Sequence, residues 1–310
     1  MLENAEELKG NLVVIVGPTA VGKTDLCIRL AQYFDAEVIS SDSRQLYREM
    51  QIGTAKPTLR EMHDVRHHFI NSHSVQDLYS AGDFERDVDR LLGEYFQKKE
   101  IAILAGGTGL FVRAVTHGLD NMPSAPEALR AELMQRLASE GLEALQKELT
   151  TLDPAAGREI DLQNPQRVVR ALEVCLSTGK PFSEFWVKSA KNHDYKLIKI
   201  GLERPREELY DRINRRVDLM LEQGLVEEVR SLMPFENKNA LQTVGYKEVF
   251  GYLRGEYDRA AMTELLKRNT RRYAKRQMTW FKNQDTFEWF HPEDEAGIIK
   301  YIIENSRADN

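Results

Sequence analysis

Cysteine is scarce in this sequence and long hydrophobic runs are missing. Its two cysteines, Cys27 and Cys175, lie far apart in helical patterns and read as reduced core residues of a cytoplasmic protein. A disulfide-stapled secreted fold is thereby excluded. No apolar stretch approaches the roughly 18 residues of a membrane span, and Met1 to Gly10 is polar, without the apolar centre of a signal peptide. No membrane partner is expected. Positive charge is in deficit: 43 Lys and Arg against 49 Asp and Glu leave a net −6. That balance weighs against a nucleic-acid partner unless the cations are clustered. A zinc pattern is lacking too. His63, His67, His68 and His73 lie close together, but no cysteine accompanies them and their spacing fits no common site. They are read as polar positions at the end of a strand.

What remains is an ordinary globular composition, 42% apolar and 30% charged, in a 310-residue chain that can hold about two domains or one core with a large insertion. Its most informative stretch is Val14-Ile15-Val16-Gly17-Pro18-Thr19-Ala20-Val21-Gly22-Lys23-Thr24. A β-branched run ends in Gly-x4-Gly-Lys-Thr and passes into helical spacing from Asp25 to Ala31, the context of a phosphate-cradling P-loop. Glycines let successive N–H groups face an anion, and the helix start adds its positive dipole end. Lys23 would reach the terminal phosphate and Thr24 would ligate Mg²⁺.

The pattern predicts strands at Leu12 to Val16, Ala36 to Ser40, His67 to Asn71 and Ile101 to Ala105, with helices between them. Ligands of an open α/β sheet bind at the carboxyl ends of its strands, which brings Asp42 and the P-loop to one crevice. Spacing alone allows Asp42 a second reading, as N-cap of a helix containing Leu46 and Tyr47. Ser80-Ala81-Gly82-Asp83 is a capping box opening a helix. The fourth strand ends in Ala105-Gly106-Gly107, where a P-loop ATPase usually carries an acidic Mg²⁺ ligand. This counts against an ordinary ATPase or kinase.

Residues 115–194 carry helical patterns without a strand and read as a helical insertion between core segments 1–114 and 195–310. Asn164-Pro165 caps a helix there, with Val168, Val169 and Leu172 on one face and Gln166, Arg167 and Arg170 roughly opposite. Arg212, Arg215 and Arg216 lie near one another on a long helix from Glu207. The last long helix, about Asp258 to Asn283, carries two cation rows, Lys267-Arg271-Lys275 and Arg268-Arg272-Arg276. Like charges at i, i+4 cost a few tenths of a kcal/mol each, which a polyanionic partner would offset. The tail after Glu304 is expected to fray.

The combination resembles the bacterial tRNA dimethylallyltransferases. Gly17 to Thr24, Asp42-Ser43, Ile52-Gly53-Thr54-Ala55-Lys56-Pro57, His67-His68, Tyr79 to Phe84, Gly106 to Leu110, Asn164 to Arg167 and Gly245 to Glu248 follow in family order. Small departures are Val21 for a common Ser, Phe111 for a common Tyr and Asn71 for a frequent Asp. The resemblance implies an α/β fold, a P-loop NTPase-like parallel sheet flanked by helices with a helical insertion. It implies transfer of a five-carbon dimethylallyl group from dimethylallyl diphosphate to N6 of adenine 37, in tRNAs reading codons that begin with U. By the same match Gly17, Pro18, Thr19, Ala20, Val21, Gly22, Lys23 and Thr24 hold the diphosphate with Mg²⁺, closed by Arg212 and Arg216, and Asp42 is the base. Ser43, Arg44, Gln45 and Thr108 would hold the adenine. Gln166, Arg167, Val168, Val169, Arg170 and Arg130 would contact the anticodon stem-loop, and Arg271, Arg272 and Lys275 suit the tRNA backbone. A monomer is expected. The rival readings are an isopentenyltransferase acting on free adenine nucleotides and a small-molecule kinase built on the P-loop.

Overall fold

A computed structural model describes residues 9–120, 122–186 and 191–306. The chain forms two compact units, one running to His117 and resuming at Asn192, the other Gly118–Lys191.

In the first unit, β1 (Asn11–Val16) leads through the P-loop into α1 (Lys23–Tyr33), then β2 (Val38–Ser40) and β3 (His67–His68). α2 (Ala81–Tyr95), β4 (Ile101–Gly106) and α3 (Gly109–His117) complete its first half. The sheet is parallel throughout, in the order β3-β2-β4-β1 and onward to two strands from the second half. Leu12 to Val16 are fully buried, as a strand covered on both faces requires. Val16 pairs with Gly106 and Ser40 with Ala105, so the P-loop, Asp42 and Gly107 leave the sheet at nearly one level. That register assembles the site.

Two local expectations fail for backbone reasons. The third strand stops at His68 because Phe69 and Asn71 take left-handed φ of 60° and 56°, which no ladder tolerates. No helix follows Ser41; residues 43–46 form a turn ahead of an isolated Tyr47–His73 bridge, so Asp42 has no helix to cap. The Ser80 box forms as expected, with the Ser80 hydroxyl accepting from the Asp83 N–H and the Asp83 carboxylate from the Ser80 N–H.

The second unit contains α4 (Glu127–Glu140), α5 (Leu142–Leu152), α6 (Ala156–Glu159) and α7 (Pro165–Thr178). The Asn164 side chain caps α7 by accepting the N–H groups of Gln166 and Arg167. Leu133, Leu145, Leu149 and Leu172 form its core together with Val168 and Val169, both fully buried. These two valines therefore present no side chain to an RNA, a correction to their expected role: the apolar face of α7 is spent on the core.

The first unit resumes with β5 (Lys196–Leu202), α8 (Arg206–Glu222), α9 (Leu225–Ser231), α10 (Tyr246–Leu253), α11 (Arg259–Gln284), β6 (Glu288–Phe290) and α12 (Glu295–Ser306). β5 pairs with β1 and β6 with β5, which completes six strands. α12 carries helix two residues past Glu304; the rest of that expected fraying, and most of the polar Met1 to Gly10 segment, lie outside the described residues.

Candidate active site

The P-loop is built by turning its carbonyls away from the anion site. Lys23 Nζ donates to the carbonyls of Gly17 and Pro18, both at 2.9 Å. Arg212 Nε donates to Ala20 O and Arg204 Nε to Val21 O, each at 2.8 Å. The first N–H groups of α1 have no partner within the helix and are left for a ligand. Gly22 takes φ 112°, and a Cβ on Gly17 would lie 2.7 Å from the Leu202 carbonyl. Both positions demand glycine. Pro18 has no N–H to offer, and Val21 lines the cradle although it is fully buried.

Its electrostatics are those of an anion site. Burial depresses Lys23 to about 8 despite the opposing pull of Asp42, and Arg216 pushes the same way as burial. Arg216 is itself lowered, by burial first and Arg212 second. Arg216 makes no hydrogen bond to any described residue. Three cations crowd one place and, among the described residues, no carboxylate is bonded to any of them, a cost that a polyanion removes.

The same cavity is lined by Thr19 to Asp25, Arg212 and Arg216 on one side and by Asp42, Arg44, Gln45 and Thr54 on another. Ile213, Val217, Met220, Leu225 and Leu266 supply an apolar wall. Asp42 Oδ1 accepts the N–H groups of Arg44 at 2.9 Å and Gln45 at 3.4 Å. Its other oxygen has no partner among the described residues. Thr108 Oγ1 accepts the Ser43 N–H at 3.0 Å and donates to Ser43 Oγ at 3.2 Å, so the structure brings this expected pair together. Gln45 is held from both ends, by Ser40 Oγ at 3.4 Å and by the Thr54 carbonyl at 3.2 Å.

Glu228, Tyr273 and Gln277 serve the site from outside the motifs, and Lys56 serves it from within one. Glu228 accepts the N–H groups of Gln51 and Ile52 on one oxygen, and the Gly53 N–H and Tyr246 hydroxyl on the other, at 2.7–3.0 Å. It thereby fixes the loop that brings Thr54 to the cavity. Lys56, 5% exposed, donates to Tyr47 O and Asn71 Oδ1. Tyr273 faces the cavity from α11, its phenol pushed up to about 12 by burial and by Asp42. Gln277 stands one turn on. Helical spacing from Leu266 through Ala274 puts both on the inward face; the aromatic Tyr273 is readable there from sequence, and the polar Gln277 is not.

The basic helix divides its cations. Lys267 pairs with Asp218 at 2.7 Å, and Arg271 donates to Asn214 Oδ1 at 2.6 Å with its guanidinium over Tyr210. Arg271 is thus half-buried and turned towards α8. Arg268, Arg272, Lys275 and Arg276 remain exposed. In the insertion, Arg130 and Arg170 both pair with the buried Glu173, at 2.7 and 3.1 Å, and Arg130 also meets Gln166. Arg167 stays exposed beside them.

The sequence profile of the family described as IPP transferase matches residues 45–284. The chain belongs to this family. A tRNA dimethylallyltransferase of Cytophaga hutchinsonii is 48% identical over 94% of this chain and 96% of its own. The Bacillus halodurans tRNA isopentenylpyrophosphate transferase structure is 41% identical, with TM-score 0.69 over 96% of this chain and 98% of that one. A eukaryotic dimethylallyltransferase acting on tRNA is 26% identical, with TM-score 0.77 over 97% of this chain and 81% of that one. For an IPP transferase, the meeting of cradle and carboxylate in one cavity is the chemically telling feature.

Proposed function

We propose that the protein transfers a dimethylallyl group from dimethylallyl diphosphate to N6 of adenine 37 in tRNAs reading codons that begin with U. The observation that carries the reading is the shared cavity, in which a cation-crowded P-loop and the half-free carboxylate of Asp42 meet beside an apolar wall. Names and lengths of the relatives support the same class of reaction.

The N6 lone pair attacks C1 of the donor, the C1–O bond breaks, and diphosphate leaves. Lys23, Arg216 and the α1 N–H groups stabilise charge that grows on the leaving oxygen, which lowers the barrier because it strengthens in the transition state. The exocyclic amine must lose its proton as the new bond forms, and Asp42 takes it. Asp42 Oδ1 is committed to the turn, so the unpartnered oxygen is the acceptor. Ile213, Val217 and Leu266 exclude water that would otherwise capture the allylic carbon.

Mg²⁺ fits the site: Thr24 offers a hard oxygen to the cavity, and its Oγ1 has no hydrogen bond to any described residue. Thr24 and the diphosphate would hold the ion, which neutralises leaving-group charge when bound. The adenine must be extruded from a stacked loop, at a cost of a few kcal/mol. Ser43, Arg44, Gln45 and Thr108 receive it, Arg130, Gln166, Arg167 and Arg170 grip the stem-loop, and Arg272 and Lys275 suit the tRNA backbone. The protein is taken to act as a monomer, and the free thiols of Cys27 and Cys175 suit a reducing, cytoplasmic setting.

Incubating the protein with labelled dimethylallyl diphosphate and either bulk tRNA or AMP tests the acceptor. Label is expected in tRNA; label in AMP alone would sink the reading in favour of a free-nucleotide enzyme.

A further inference from the structure

Gln277 is 7% exposed on α11 and makes two hydrogen bonds across the site. Its Oε1 accepts the P-loop N–H of Thr19 at 2.9 Å, and its Nε2 donates to the Gly107 carbonyl at 2.8 Å. The residue after Gly107 is Thr108, whose hydroxyl holds Ser43 beside Asp42. One amide therefore spans from the loop that holds the leaving group to the strand end that holds the base. Glycine at position 107 belongs to the same contact, since a Cβ there would lie 2.4 Å from Gln277 Nε2. An amide suits the task because it offers an acceptor at one end and a donor at the other. A carboxylate would repel the Gly107 carbonyl, and an amine would leave the Thr19 N–H without a partner.

We propose that Gln277 is a positioning residue that sets the spacing between the diphosphate cradle and Asp42, and so governs the transfer step rather than donor binding. This rests on the prenyl-transfer reading. A displacement of about 1 Å between reacting groups costs on the order of 10²-fold in rate, whereas the cradle's own contacts, made by Lys23, Arg204 and Arg212, survive loss of the amide.

The test is steady-state transfer to tRNA by the wild type, Gln277→Met, Gln277→Glu, Gly107→Ala and the Gly107→Ala/Gln277→Met double variant. Gln277→Met is expected to lose kcat by roughly 10²-fold, with KM for dimethylallyl diphosphate changed by less than about threefold. The double variant should be no worse than the more impaired single, because both disrupt one contact. Gln277→Glu should recover relative to wild type as pH falls, since the protonated carboxyl regains a donor for Gly107 O.

A rise in KM with kcat retained, additive effects in the double variant, or a Gln277→Glu profile parallel to wild type would each overturn the proposal. Should Gln277→Met fail to fold, the Gln277→Glu profile alone decides. No product from the wild type would instead overturn the transfer reading, so the two failures stay separable.

Discussion

Asp42 Oδ1 accepts the Arg44 N–H at 2.9 Å while its second carboxylate oxygen has no partner among the described residues. One oxygen folds the turn and the other is available for chemistry. Asp42→Asn separates these roles, because an asparagine keeps the turn's acceptor and loses the base. It should lower kcat for tRNA prenylation by roughly 10²–10⁴-fold with tRNA affinity nearly unchanged. Near-normal turnover would reduce Asp42 to a turn residue.

Lys23 is held at about 8 by burial in the free site. A bound diphosphate favours the protonated amine, so binding takes up a proton wherever the free amine is neutral. Affinity for inorganic pyrophosphate, measured by calorimetry and taken relative to Lys23→Met so that the probe's own protonation cancels, should therefore fall as pH rises through about 8. Lys23→Met itself should bind weakly. A ratio that stays flat over that range would contradict the assignment to Lys23.

On α11 the exposed and the internally paired cations should behave differently. Replacing Arg272 and Lys275 by alanine should weaken tRNA binding and reduce the salt slope of log K by roughly 0.7–0.9 for each phosphate no longer neutralised. Lys267→Ala, which removes the Asp218 pair, should leave the slope unchanged. Equal slopes for all variants would make the exposed row a solvated face only.

Glu228→Ala leaves three backbone N–H groups and the Tyr246 hydroxyl without their acceptor. Loss of about 3 kcal/mol in urea unfolding is expected, since buried donors stripped of a charged partner cost about 1–3 kcal/mol each and water reaches some of them. A change below about 0.5 kcal/mol, within the range of ordinary surface substitutions, would show that the loop is held by packing alone.

The P-loop, the buried central strands and the Ser80 and Asn164 caps were legible because each rests on local chemistry: β-branched runs, glycine placement, side-chain acceptors. What escaped depends on pairing between distant segments. Phe69 and Asn71 look like strand residues until the backbone turns left-handed around the Lys56 amine. Arg271 looks like part of an exposed row until Asn214 on α8 claims it. Val168 and Val169 were legible as an apolar face, and that face is why they belong to the core. Glu228 and Gln277 serve the site from far along the chain, where no motif marks an acceptor or an amide.

The central claim is a product, and mass spectrometry of tRNA after incubation with the protein, Mg²⁺ and dimethylallyl diphosphate reads it directly. The account predicts adenosine 37 carrying one dimethylallyl group on N6, with one diphosphate released for each. Unmodified tRNA alongside diphosphate release, or transfer of a phosphoryl group to any acceptor, would contradict it.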